Sequence, residues 1–216
     1  MQREFWQAQW DKGQIGFHRP NVNVLLQDNI AYLEHARRVY VPLCGKSLDL
    51  RYLRERGHEV FGTEIVTLAI EQLFAELGET PRVSKRGPYT VHEVPSLTIF
   101  EGDAFLLTPE HLGGPVDGIY DRGSLVALEP STRAAFVQSF ERVLAKDGRI
   151  AEVVFAYDQT KVDGPPWSVT AEDIESLFGK WADIRVVAER DESVGQRMSD
   201  AGVSRITEYL YGIERR

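Results

Sequence analysis

Apolar and polar positions along this chain fall into two alternating rhythms. Short β-branched or apolar runs occupy residues 38–43, 59–65, 97–101, 116–121 and 148–156. Between or around them, stretches with helical spacing cover 22–34, 47–56, 67–77 and 132–144. Such runs read as parallel strands buried on both faces, joined by crossover helices. Gly57 and Gly148 each follow a helical stretch, where a helix C-terminal glycine belongs. The last third changes rhythm: a helix at 171–178 leads to strands at 184–188 and 205–213, with a polar connection over 189–204. Two consecutive strands without a helix between them predict an antiparallel pair at one sheet edge. Residues 88–95, bounded by two prolines, read as an irregular insertion before the third strand. The expected fold is α/β: one doubly wound domain over residues 1–216, with a seven-stranded, mostly parallel sheet and an antiparallel C-terminal edge.

Composition narrows the function classes. The chain carries 25 Lys and Arg against 33 Asp and Glu, a net charge of −8. That sign argues against a nucleic-acid binder held by phosphate contacts. Hydrophobic content of 43% and a charged fraction of 27% are those of a globular protein rather than a disordered one. The single cysteine, Cys44, cannot form an intrachain disulfide and suits a reducing compartment. No apolar stretch approaches ~18 residues. The start, Met1-Gln2-Arg3-Glu4-Phe5-Trp6, lacks a signal peptide's apolar core. A cytoplasmic protein with no membrane or nucleic-acid partner is expected.

Ligands of open α/β sheets bind at the carboxyl ends of the strands. After the first strand stands Pro42-Leu43-Cys44-Gly45-Lys46-Ser47, which has neither dinucleotide-binding nor P-loop glycine spacing. It is either an ordinary turn or a loop that brings backbone close to a nucleoside. Glu64 ends the second strand, 21 positions after Leu43. That is the offset at which an acidic side chain accepts hydrogen bonds from ribose hydroxyls; a solvated strand end or a helix cap is the alternative. Asp103 ends the third strand, where it either faces an adenine edge or serves a turn. The fourth strand ends in Asp121-Arg122-Gly123. This pair either orients a cofactor or small anion or forms a structural ion pair. Trp6 and Trp10 share a helix face near Phe17. Their segment is either a helix packed on the core or an aromatic lid over a flat substrate. Gly164-Pro165-Pro166-Trp167 is a stiff loop suited to a pocket rim or to a plain strand–helix connection.

These segments together resemble the thiopurine S-methyltransferase family of S-adenosylmethionine-dependent class I methyltransferases, in its shorter bacterial form. The resemblance runs nearly end to end. It is carried by Phe5-Trp6-Gln7-Ala8-Gln9-Trp10, Gly13-Gln14-Ile15-Gly16-Phe17-His18 and Val41-Pro42-Leu43-Cys44-Gly45-Lys46, of which the last is the most specific. Arg56-Gly57-His58-Glu59-Val60-Phe61-Gly62-Thr63-Glu64-Ile65, Asp121-Arg122-Gly123-Ser124-Leu125-Val126-Ala127 and Tyr157-Asp158-Gln159-Thr160-Lys161 continue it. Gly164-Pro165-Pro166 and Leu177-Phe178-Gly179-Lys180 complete it. The resemblance implies S-adenosyl-L-methionine as cofactor and S-adenosyl-L-homocysteine as product, with contacts at Trp10, Leu43, Glu64, Asp103, Ala104 and Arg122. It implies substrate contacts at Phe17 and Arg197, residues 1–20 folded over the cofactor, and a monomer.

Methyl transfer from a sulfonium to sulfur is an in-line displacement in which the acceptor supplies the nucleophilicity. The protein's work is alignment and exclusion of water. Asp121, Arg122 and Arg197 are therefore assigned electrostatic and positioning roles, with no dedicated general base. The five histidines show no metal-ligand spacing with each other or with Cys44, and no metal is expected. The main expectation is sulfur methylation of small aromatic or heteroaromatic thiols. The alternatives are methylation of halide, thiocyanate, selenium or tellurium species, and a non-catalytic cofactor-binding scaffold.

Overall fold

The computed structural model describes residues 3–216; Met1 and Gln2, the first two positions of the expected lid, lie outside the described residues. The chain opens with helix α1 (Arg3–Asp11) and the short α2 (Val24–Asp28), followed by a 3-10 turn, Ile30–Tyr32. Then come β1 (Arg38–Val41), α3 (Leu48–Glu55), β2 (Glu59–Glu64), α4 (Thr67–Leu77), β3 (Arg82–Arg86), β4 (Tyr89–Val94) and β5 (Leu97–Glu101). The second half holds α5 (Pro109–Leu112), β6 (Val116–Arg122), α6 (Ser124–Ala127), α7 (Pro130–Val143) and β7 (Leu144–Ala156). It ends with α8 (Ala171–Phe178), β8 (Ala182–Glu192), α9 (Gln196–Asp200) and β9 (Ile206–Arg215).

One sheet runs in the order β3-β4-β5-β2-β1-β6-β7-β9-β8. Its centre, β5 to β7, is parallel, whereas the pairs β3–β4, β4–β5, β7–β9 and β8–β9 are antiparallel. Side chains alternate across a strand, so each strand feeds two cores. Tyr40, Phe61, Phe100, Ile119 and Ile150 pack with α7 and α8 on one face. Val39, Val41, Val60, Tyr120 and Val153 pack with α2, α3 and α4 on the other. This two-sided burial is what the largely apolar runs predict. Thr170 and Asp173 cap α8 reciprocally, and Gly78 at φ 68° closes α4.

Four expectations are corrected. Among the described residues nine strands form, because residues 82–94 make a hairpin; the supposed insertion over 88–95 is largely β4. Both prolines stand outside the ladder, in the turns, and Arg82, Lys85 and Arg86 charge the outer strand. The stretch 22–34 breaks into α2 and the 3-10 turn because Asn29, the C-cap of the first, starts the second. Gly148 ends no helix. Helix α7 passes at Leu144 directly into β7, whose pairing with β6 is irregular between Val116 and Gly118, with Asp147 at φ 61° nearby. The connection 189–204 is not all loop: β8 extends to Glu192 and α9 follows. Among the described residues, no helix is long and apolar enough to cross a membrane.

Candidate functional site

A cavity of about 520 Å³ opens at the carboxyl ends of β1, β2 and β6, beneath the N-terminal segment. It is in the size range of small-molecule and cofactor sites. Its floor is the loop after β1. Leu43 (φ 43°) and Gly45 (φ 51°) both take left-handed backbone there. The conformation is cheap for glycine but strained for leucine, a pattern that clusters at functional sites. The Cys44 N–H donates to the Thr63 carbonyl at 2.9 Å and ties the loop to β2. The Trp10 indole lies against this loop, within van der Waals reach of a Cβ built on Gly45.

Glu64 is buried at the end of β2. Its Oε1 accepts the N–H groups of Ile65 (2.6 Å) and Val66 (2.8 Å), and its Oε2 accepts that of Gly45 (2.9 Å). Burial pushes its pKa up, and the three N–H donors pull it back. Among the described residues Oε2 has one partner, which leaves acceptor capacity at the cavity wall. A buried carboxylate beside apolar Leu43, Ile65 and Trp10 fits a ligand with sugar hydroxyls and a flat base. On this donor set the residues present fit S-adenosylmethionine.

Asp121 and Arg122 do not meet. Adjacent strand residues face opposite sides of the sheet, so only one of them can reach the cavity. Arg122 does, and its partner is Asp49, whose Oδ2 accepts the Arg122 Nε–H at 2.9 Å. Asp121 is turned away from the cavity and wholly buried. There it accepts the Ser124 N–H at 3.2 Å and stands beside Glu152, its register partner on β7. Burial pushes the Asp121 pKa up to about 7 and that of Glu152 well above the usual range; Asp121 raises Glu152 further, whereas Ser124 and the hydrogen bond with Glu152 pull Asp121 back down. The expected positioning role of Asp121 at the cavity has no geometric basis, since its carboxylate is buried away from the lining.

The remaining expected residues divide. Trp10 and Phe17 line the cavity, and Phe17 packs edge-on against Trp6 and Trp10 with centroids 5.5 and 5.9 Å away. Trp10 is buried against Val66 and Ala69 while Phe17 is 44% exposed. Arg197 reaches the rim from α9, donating to the carbonyls of Pro165 (2.9 Å) and Asp163. Gly164, Pro165 and Pro166 form that rim. Asp103 and Ala104 stand outside the cavity lining. The Asp103 carboxylate caps the Phe105 N–H at 3.0 Å, and Ala104 is buried in the core. The sequence reading missed Asp49, Tyr120 and His18, all in the cavity wall. Tyr120 had a usable signal, since it shares a strand face with Arg122; Asp49 had none, being 73 positions from Arg122. The His18 pKa is lowered by burial and by the neighbouring Lys46 and Arg122 charges.

Solved structures share this architecture. A SAM-dependent methyltransferase from Anabaena variabilis superposes with a TM-score of 0.65 at 16% identity, over 99% of this chain and 95% of that one. The 1,6-didemethyltoxoflavin-N1-methyltransferase of Burkholderia thailandensis, solved with 1,6-didemethyltoxoflavin and S-adenosylhomocysteine, gives 0.64 at 16% identity, over 99% and 87%. Proteins named thiopurine S-methyltransferase are closer in sequence. That of Nitrosospira multiformis is 37% identical over 98% of this chain and 97% of its own. That of Pseudomonas fluorescens is 38% identical over 98% of both. The family model described as thiopurine S-methyltransferase matches residues 1–216. With likeness in sequence spanning both the cavity loops and the N-terminal segment over them, this chain belongs to the thiopurine S-methyltransferase family.

Proposed function

We propose that this protein is an S-adenosylmethionine-dependent methyltransferase that methylates the sulfur of small aromatic or heteroaromatic thiols. The observation that carries this reading is a single cavity with the buried Glu64 carboxylate on one wall and the Trp10–Phe17 aromatic cluster over it, in a chain of this family.

S-adenosylmethionine, when bound, supplies a methyl group on a positively charged sulfur. Glu64 accepts hydrogen bonds from the ribose hydroxyls, and Leu43 and Trp10 cover the apolar parts of the nucleoside. Arg122, held by Asp49, orients a polar group of the ligand from the β6 side. Phe17 and Trp6 close the cavity from solvent, which strengthens alignment and excludes water as a competing nucleophile. Arg197 sits at the rim, where its guanidinium holds an acceptor carboxylate or favours the anionic thiolate whose charge is lost as the sulfonium methyl is transferred and S-adenosylhomocysteine leaves. The acceptor's own sulfur is the nucleophile, so the chain needs only to place it in line. Asp103 and Ala104, outside the cavity lining, hold the turn after β5. We further propose that residues 1–20 act as the lid of a single domain, and that the enzyme works in the cytoplasm as a monomer. Its net charge of −8 suits small-molecule rather than nucleic-acid partners.

The test is product formation from S-adenosylmethionine, followed by mass spectrometry across thiopurines, thiophenols, catechols and halide ions. Methylthioethers from the aromatic thiols are expected. Exclusive methylation of oxygen or halide would refute the thiol assignment and retain the methyltransferase, and failure to turn over with every acceptor would leave a cofactor-binding scaffold.

A further inference from the structure

One carboxylate in the cavity wall collects more donors than any residue the sequence singled out there except Glu64. Asp49 lies in the first turn of α3 and is almost wholly buried. Its Oδ2 accepts the Arg122 Nε–H at 2.9 Å and the Tyr120 hydroxyl at 3.1 Å. Its Oδ1 accepts the backbone N–H of Asn23 at 2.8 Å. Asn23 is the N-cap of α2 and sits at the root of the N-terminal segment that covers the cavity. Its side chain is anchored in turn, Nδ2 donating to Glu208 Oε1 at 2.9 Å. Asp49 thus joins three parts of the site: the guanidinium on β6, the phenol beside it, and the base of the lid.

The geometry of Arg122 shows what this does. Nε is held by Asp49, and Nη2 lies 3.4 Å from the Ser47 hydroxyl. Nη1 has no hydrogen-bond partner among the described residues, and the side chain lines the cavity. An arginine held by Nε has its planar fork fixed in direction, so its free edge meets a ligand without a search among rotamers. Paired with Asp49, it presents donors with little net charge. We infer that Asp49 is a positioning residue for methyl transfer: it aims Arg122 into the cavity and fixes the root of the lid against the same carboxylate. This rests on the methyltransferase reading above.

Asp49→Asn tests it with almost no change in shape. An asparagine must turn its NH2 group either toward the Arg122 Nε–H or toward the Asn23 N–H, and neither can accept a hydrogen bond. The expected result is a loss of about ten- to a hundredfold in kcat at saturating cofactor, the size of effect that misplacement by about 1 Å produces. The Arg122 Nε–H resonance, read by NMR on wild type and variant, is expected to move. A buried variant on the same core, Leu73→Ala in α4, controls for general destabilisation and is expected to lower Tm while keeping kcat. If Asp49→Asn does not fold, Asp49→Glu takes its place, since it keeps the charge but displaces the carboxylate by one methylene. Support requires both the loss of kcat and the displaced Arg122 resonance. Wild-type kcat, an unmoved resonance, or an equal loss of kcat in Leu73→Ala overturns the inference. Should the wild-type protein methylate no thiol, the functional reading itself fails. The Arg122 resonance, followed as S-adenosylhomocysteine is titrated, then decides the Asp49 contact independently: an unmoved resonance in the variant overturns it and a moved one sustains it.

Discussion

At the scale of single residues, Glu64 carries two jobs that substitution will expose together. The proposed function gives its carboxylate the ribose hydroxyls, and it already accepts three backbone N–H groups from two loops. Glu64→Ala removes charge-assisted hydrogen bonds worth about 1.5–3 kcal/mol, and calorimetry should show S-adenosylmethionine binding weakened about tenfold or more. It also strands those buried donors, so a loss of about 1–3 kcal/mol in stability is expected alongside, measurable by thermal unfolding. Unchanged affinity would remove Glu64 from the site. Asp121 makes a different prediction. Its pKa is raised by burial from the ordinary carboxylate value of 3.8 to about 7, so folding takes up a proton. Stability from this group is fully present below about pH 4 and is lost as pH rises through about 7. Each tenfold gain in proton affinity is worth about 1.4 kcal/mol, so the effect is of the order of a few kcal/mol. Asp121→Asn keeps the acceptor for Ser124 and can donate to Glu152, so it should be more stable than wild type at pH 8. That advantage should shrink toward pH 4. An equal difference in Tm at both pH values would contradict this.

At the scale of elements, α1 and the loop after it are the part of the site most open to change. Trp10 is fastened to α4, whereas Phe5 and Phe17 remain 39% and 44% exposed above the cavity. A segment with one buried anchor and exposed aromatics is expected to open locally at low free-energy cost. If it closes over bound nucleoside, its amides should gain hydrogen-exchange protection on addition of S-adenosylhomocysteine. Those of α7, packed across the opposite core, should not change. Equal protection of α1 with and without ligand would make this segment ordinary packing.

For the whole molecule, the site is assembled from distant parts of the chain, so ligand binding should stabilise the fold as a unit. A ligand present at a hundred times its Kd adds about 2.7 kcal/mol to the folded state. For a chain of this size that corresponds to about 5–10 °C in Tm. Such a rise is expected for S-adenosylhomocysteine, and the Glu64→Ala variant should show a smaller one at the same concentration. A wild-type Tm indifferent to the ligand would count against the cavity as the cofactor site.

Much of this architecture was legible in the sequence, and what was not has a common cause. Largely apolar runs such as 38–43 and 59–65 carry apolar side chains on both faces and are buried between two helical layers. Chain order then delivers their carboxyl ends, with Leu43, Glu64 and Arg122, to one edge of the sheet. The helix at 171–178 and the seven central and C-terminal strands followed from similarly local chemistry. The hairpin of β3 and β4 did not, because its prolines looked like interruption until the turns placed them outside the ladder. The charged pair at the end of β6 could be read as belonging to the site, but strand parity allows only one member into the cavity. Which one depends on where β6 sits between β1 and β7. Asp49 was silent in the sequence, since its partners Asn23, Tyr120 and Arg122 lie 26, 71 and 73 positions away. Local periodicity determined the central strands, the helices between them and where their ends point. Only the tertiary structure decided which side chains meet there, because hydrogen bonds between distant segments obey the packing of the sheet and not spacing along the chain.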